Sequence, residues 1–199
     1  MKKLRLFISL ALVAFGASVV AQSVVIDENF QAFKSQGWKN DTICNFKKMD
    51  SKANFKVTKS YGDNTVIYSF LKCAVAPECE AKKTPMTAGV TAGYVEVNKK
   101  EGALIISEQK FISTLEVAAS ATGDVRGYAL FKSVKGGPWL KVGEYIGAKA
   151  EGADAQYGFA NTININESDV SLKFVATMCG KDELALQTFR IHNIKAYGK

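Results

Sequence analysis

The sequence predicts an all-β chain: two packed antiparallel sheets of about ten strands, preceded by an export signal. Three observations carry that reading. Apolar residues recur at period two in segment after segment, no segment keeps a helical period for three turns, and the runs are bounded by Gly, Asn, Asp or Pro. No linker, internal repeat or low-complexity tract divides the 199 residues, so one domain is expected over residues 22–199.

Residues 1–21 read as a signal peptide. Lys2, Lys3 and Arg5 form a positive start, Leu6 to Val20 is an uncharged apolar run, and Val19-Val20-Ala21 supplies small residues for cleavage. The run is shorter than the roughly 20 residues that span a bilayer, so no stable membrane insertion is expected. The expected destination is the periplasm, the cell surface or the extracellular space.

The strands then follow in order. Ser23 to Phe30 turns Val24, Ile26 and Phe30 inward, and Val66, Tyr68 and Phe70 alternate in the next clear strand. Tyr94 to Val97 and Ala103 to Ser107 flank a turn at Lys99 to Gly102, and Ile112 to Ala121 aligns Leu115, Val117 and Ala119. Gln156 to Asn166 and Asp169 to Met178 continue the pattern, the latter with Val170, Leu172, Phe174, Ala176 and Met178 on one face. The last strand, Leu184 to Tyr197, changes parity between Ile191 and Ile194, which predicts a β-bulge at His192 and Asn193.

Arg126 to Ala148 reads as a hairpin on Gly136-Gly137-Pro138, the glycines supplying positive φ and the proline opening the second strand. Period two places Leu140, Val142 and Ile146 on a core face and Trp139, Lys141 and Tyr145 on the other. Exposed rings can stack on the apolar faces of sugars while polar neighbours bond their hydroxyls. Trp139, Lys141 and Tyr145 are therefore the candidate ligand-binding residues, joined by Asn164 and Asn166, which face away from Ile163 and Ile165. Trp38 reads as a loop residue capping the end of the core.

The four cysteines suit an oxidising compartment and suggest two disulfides. Cys73 and Cys79 are near enough to close on each other, which would leave Cys44 for Cys179; other pairings stay open. The absence of any CxxC pair argues against thiolate zinc, and no metal site is expected. Removing the signal lowers the formal charge from +7 to +4, with a local surplus from Lys34 to Lys59. Such a surplus attracts acidic partners or serves as a solvated face. Nucleic acid is not expected, for want of any recognisable nucleic-acid module.

Chemistry finds little to use. A Ser-His or Cys-His pair would need His192, the only imidazole, and Glu116 and Glu144 are candidate glycosidase carboxylates with nothing to place them together. Lys141 and Tyr145 are the residue types a uronate lyase uses. No phosphate-binding or dinucleotide glycine motif is present.

Gly93-Tyr94-Val95-Glu96-Val97, Gly102-Ala103-Leu104-Ile105-Ile106-Ser107, the 126–146 hairpin and Phe189 to Gly198 follow one another in an order that resembles secreted bacterial jelly-roll modules. Those modules occur beside polysaccharide lyases, glycoside hydrolases and adhesins. The resemblance covers about Gly93 to Gly198 and implies a jelly-roll β-sandwich, usually a non-catalytic accessory domain that recognises carbohydrate. It departs at His192, which stands where the pattern has aspartate. In related sandwiches a carboxylate near the terminal strands helps hold a structural calcium ion; here Asp27 and Glu28 are the remaining oxygen donors. The expected function is an exported, non-catalytic carbohydrate-binding or adhesin-like module for a neutral or acidic glycan. The alternative is a structural subunit that pairs with another secreted protein, and a lyase or hydrolase ranks third.

Overall fold

A computed structural model of the chain describes residues 22–37, 50, 52–76, 93–98, 101–122, 125–146, 156–178 and 188–199. The expected signal peptide, Trp38, Cys44, Cys79 and Cys179 lie outside these. The described residues form ten strands: β1 Val24–Glu28, β2 Asn54–Tyr61, β3 Asn64–Leu71, β4 Cys73–Ala76, β5 Tyr94–Asn98, β6 Ala103–Thr122, β7 Val125–Val134, β8 Leu140–Ile146, β9 Gln156–Met178 and β10 Thr188–Tyr197. Every pairing is antiparallel.

The strands join in one hydrogen-bonded sheet, ordered β4-β5-β10-β6-β9-β7-β8, with β1 on β10 and the β2–β3 hairpin on β6. The sheet curls until its two halves face each other. Tyr128 on β7 stacks on Phe189 of β10 at 5.2 Å between ring centroids, although two strands separate them within the sheet. The sandwich core is thus the inner surface of one bent sheet.

The long strands β6 and β9 make the bend. Twenty residues of straight strand would span about 65 Å, several times an ordinary strand, so each must turn a corner. In β6 the register shifts between Ile106 and Gln109 and again between Ile112 and Thr114. In β9, Asn166 and Asp169 take positive φ of 48° and 51°, angles that Asn and Asp tolerate better than most residues. Inward residues change parity across each corner: Leu104 and Ile106 give way to Leu115, Val117 and Ala119, and Ile163 and Ile165 to Val170, Leu172 and Phe174. The four short strands expected from sequence here are two long ones.

The bulge expected at His192 is present, as a register shift between Ile191 and Asn193. It keeps Phe189, Ile191, Ile194 and Ala196 all buried. At the other end of the core Phe30, Phe33, Tyr68 and Phe70 pack edge to face at 5.8–6.4 Å, and Phe55 stacks on Phe70 at 4.6 Å.

Cys73 is a free, buried thiol in this structure, with Leu71 and Ala103 carbonyls 3.1 and 3.3 Å from its sulfur. The expected Cys73–Cys79 bridge is not formed in it. Burial pushes the thiol up to about 12, so little thiolate is present near neutral pH. Cys73 is expected to resist iodoacetamide at pH 8 in the native protein and to react once unfolded in urea, read by peptide mass spectrometry. Equal labelling in both states would contradict its burial, and protection that persists in urea until reductant is added would restore the bridge.

Candidate functional site

The connection from β7 to β8, residues 135–139, opens with a turn in which Lys135 and Gly136 take φ of 51° and 67°, closed by Gly137 N–H donating to Val134 O at 2.9 Å. Two successive positive φ values match the twist of a tight hairpin. The left-handed pair is therefore Lys135-Gly136 rather than the expected Gly136-Gly137. Ser133 Oγ donates to Gly137 O at 2.6 Å, holding the segment that leads to Trp139.

The second strand departs from strict alternation. Phe131 faces Lys141, but Leu130 faces Gly143, so Val142 is an extra residue on β8. Before this bulge Lys141 shares the outer face with Phe131. After it Tyr145 lies opposite buried Tyr128, stacked at 5.1 Å, and packs against the core. Burial raises the Tyr145 phenol above its ordinary value. Tyr145 is thus parted from Trp139 and Lys141, with which period two had grouped it. Leu140 and Ile146, expected in the core, are 57% and 50% exposed: Leu140 lies opposite Lys132 near the hairpin end, and the bulge swings Ile146 outward.

What assembles around Trp139 comes from other strands. Register pairs run Ile105–Lys173–Phe131–Lys141 across β6, β9, β7 and β8, all on the outer face. The Lys173 amine lies 4.6 Å from the Trp139 ring centroid and 4.9 Å from that of Phe131, within cation–π range of both. Desolvation lowers the Lys173 pKa. Beside these residues Leu71, Gly102 and Val175 line an open cleft of about 520 Å³, with Glu101 on its rim. Trp139 keeps 37% of its surface accessible.

Lys141 does not enter this cleft; its amine is paired with Glu144, a contact at i,i+3 that the bulge permits by keeping both on the outer face. Asn164 and Asn166 are exposed but belong to the other arm of β9, nine and seven residues from Lys173 and outside the cleft lining. Asn166 sits at the corner itself. Sequence reasoning missed Lys173, Phe131, Ile105 and Leu71. Lys173 was visible as an outward position between Leu172 and Phe174, but only the β9–β7 register brings it to Trp139.

Three other clusters were candidates for chemistry. Ser120 Oγ and His192 Nε2 are 2.7 Å apart, but the two residues are 1% and 0% exposed, so substrate has no route to them. Glu116 accepts a hydrogen bond from Tyr197 at 3.0 Å, while Glu144 is held on β8 by Lys141, and the two do not share the cleft. Asp27 is exposed, whereas Glu28 faces inward. Glu28 accepts from Phe30 N–H at 2.6 Å and Tyr61 O–H at 2.5 Å, and pairs with Lys59 at 2.9 Å. Its oxygens are committed to the fold, which corrects the reading of Glu28 as an oxygen donor to calcium. No group of three metal-ligating side chains occurs among the described residues.

No family model matches the chain, and no curated protein sequence does. Solved structures give matches at low identity. The K2 cleaved adhesin domain of Lys-gingipain is 14% identical over 88% of this chain and 97% of that one, with a TM-score of 0.41. The first family 32 carbohydrate-binding module of a family 31 glycoside hydrolase from Clostridium perfringens is 18% identical over 63% and 93%, with a TM-score of 0.35. A family 35 carbohydrate-binding module from Paenibacillus barcinonensis is 14% identical over 66% and 93%, with a TM-score of 0.36. The chain is similar to carbohydrate-binding and adhesin domains at a level too low to carry a ligand or a residue role across.

Proposed function

We propose that the chain is an exported, non-catalytic carbohydrate-binding module whose site is the outer-face cleft at Trp139. The observation that supports it is a half-open indole, fixed by a tight hairpin, beside a desolvated lysine and an aromatic neighbour on a sheet face turned away from the core. Sugar C–H groups stack on such a ring while hydroxyls bond polar groups at its margin. Lys173 and Glu101 supply those groups here. An open cleft across a sheet suits a polymer that passes over it better than a small substrate that must be enclosed. Export follows from Lys2, Lys3, Arg5 and the Leu6 to Val20 run.

A glycan-array screen of the wild-type protein beside Trp139→Ala tests this, with folding checked by circular dichroism. Saturable binding that falls at least tenfold in the folded variant is expected. Equal binding by both would move the site elsewhere, and no binding by either would overturn the function.

Leu140 and Ile146, exposed on the open edge of β8, favour a second reading: pairing with another secreted chain along that edge. It predicts oligomers in sedimentation that Ile146→Lys disperses.

A further inference from the structure

The charge pattern on this face narrows the ligand, on the premise that the Trp139 cleft binds glycan. Beside the cleft two lysines are neutralised: Lys72 pairs with Glu101 and Lys141 with Glu144. Lys173 has no carboxylate partner among the described residues. Aromatic faces offset part of its charge but accept its N–H donors poorly, so the amine keeps donor capacity in a partly desolvated place. The rim acid Glu101 is already held by Lys72 and does not compete for it.

A second lysine extends the pattern. Register pairs continue from Lys173 through Ile105 and Ser69 to Lys56, one straight row across β9, β6, β3 and β2. Lys56 is exposed on the same outer face, and it too has no ion pair among the described residues. At about 4.8 Å per strand, three steps set the two backbones roughly 14 Å apart. The two unneutralised cations of this row are thus aligned across the strands, with Trp139 beside one of them.

We propose that this face binds an acidic glycan laid across the strands, with a sugar ring against Trp139 and carboxylate or sulfate groups on Lys173 and Lys56. The shared chemistry is an anionic group borne on a pyranose chain. A charge-assisted hydrogen bond to each lysine supplies selection against neutral polymers that the indole alone would accept.

The test is calorimetric titration of the full chain with polygalacturonate, its methyl-esterified form, a sulfated galactan, the same galactan desulfated, and poly-glutamate. The expected result is binding of a charged polysaccharide at least tenfold tighter than its neutral counterpart, the carboxylate and sulfate arms distinguishing the two anions. Lys173→Gln should lose about tenfold and reduce the salt dependence of binding, Lys173→Arg should retain most of it, and Lys56→Gln should lose less. Because Lys173 is partly exposed, the Arg variant also guards against a folding defect being read as lost recognition. Binding of neutral and charged forms alike, unmoved by Lys173→Gln, would overturn this inference while leaving the glycan site in place. Poly-glutamate bound as tightly as the polysaccharides would overturn it in favour of an acidic polypeptide. Silence toward every glycan would remove both the inference and the function beneath it.

Discussion

Replacing Glu28 by alanine is expected to destabilise the protein by about 3–5 kcal/mol, read as a lower urea midpoint. Glu28 is 2% exposed, and its carboxylate is the common partner of Phe30 N–H, Tyr61 O–H and the Lys59 amine. Removing it takes the acceptor from the buried Phe30 N–H and the counter-ion from Lys59, and a buried group left unmatched costs more than the pair contributed. Tyr61 continues the network to the Tyr68 hydroxyl at 2.7 Å. Burial first, then the neighbouring Tyr68 and the bond to Glu28, raise the Tyr61 pKa well above its ordinary value near 10, and burial raises Tyr68 likewise. The unfolded chain therefore releases these protons at lower pH than the folded one. Stability from this source is complete below about pH 10 and falls as pH rises beyond it. Tyr61→Phe should flatten that alkaline decline. A midpoint for Glu28→Ala within about 0.5 kcal/mol of wild type would contradict the account of the network.

Gly127→Ala is expected to cost about 3 kcal/mol and to weaken ligand binding as well. A Cβ at Gly127 would stand 1.8 Å from the Tyr145 carbonyl oxygen and 2.8 Å from its carbon. The clash is with backbone, so no rotamer relieves it, and β8 must shift away from β7. That strand follows directly from Trp139 and carries Tyr145, whose ring closes the core against Tyr128. A strand forced outward would loosen both the stack and the cleft wall. Urea unfolding measures the first effect, and a glycan titration in native buffer the second. Wild-type stability in this variant would mean that β8 does not lie where the register puts it.

The sequence disclosed what depends on neighbours along the chain. Alternation located the core residues of β9 from Val170 to Phe174, and the parity break in β10 located the bulge at His192 and Asn193. It did not disclose what depends on partners across the sheet. β2 was overlooked because Lys56 and Lys59 read as part of a solvated lysine face. In the structure Lys56 points out, while Lys59 turns in to Glu28. β4 is only four residues long, too short to show an alternating pattern, and all four are buried in its pairing with β5. The bulge at Val142 left no break in the apolar pattern, because Val142 and Tyr145 can each pack inward whichever way the strand is phased. Hence Trp139 and Lys141 were placed correctly on the outer face, Tyr145 was not, and Lys173 went unseen. Lys173 lies 34 positions along the chain from Trp139 and reaches it only through register, and register is set by the whole sheet.

The central claim is that Trp139 meets the ligand, and its own fluorescence is the most direct measurement. The chain has two tryptophans, so Trp38→Phe leaves Trp139 as the sole indole emitter. Titrating that variant with a glycan identified on the array should change the Trp139 emission saturably, with the same midpoint as calorimetry gives for binding. Glycan binding by calorimetry with no change in Trp139 emission would place the ligand elsewhere on the sheet and contradict the account.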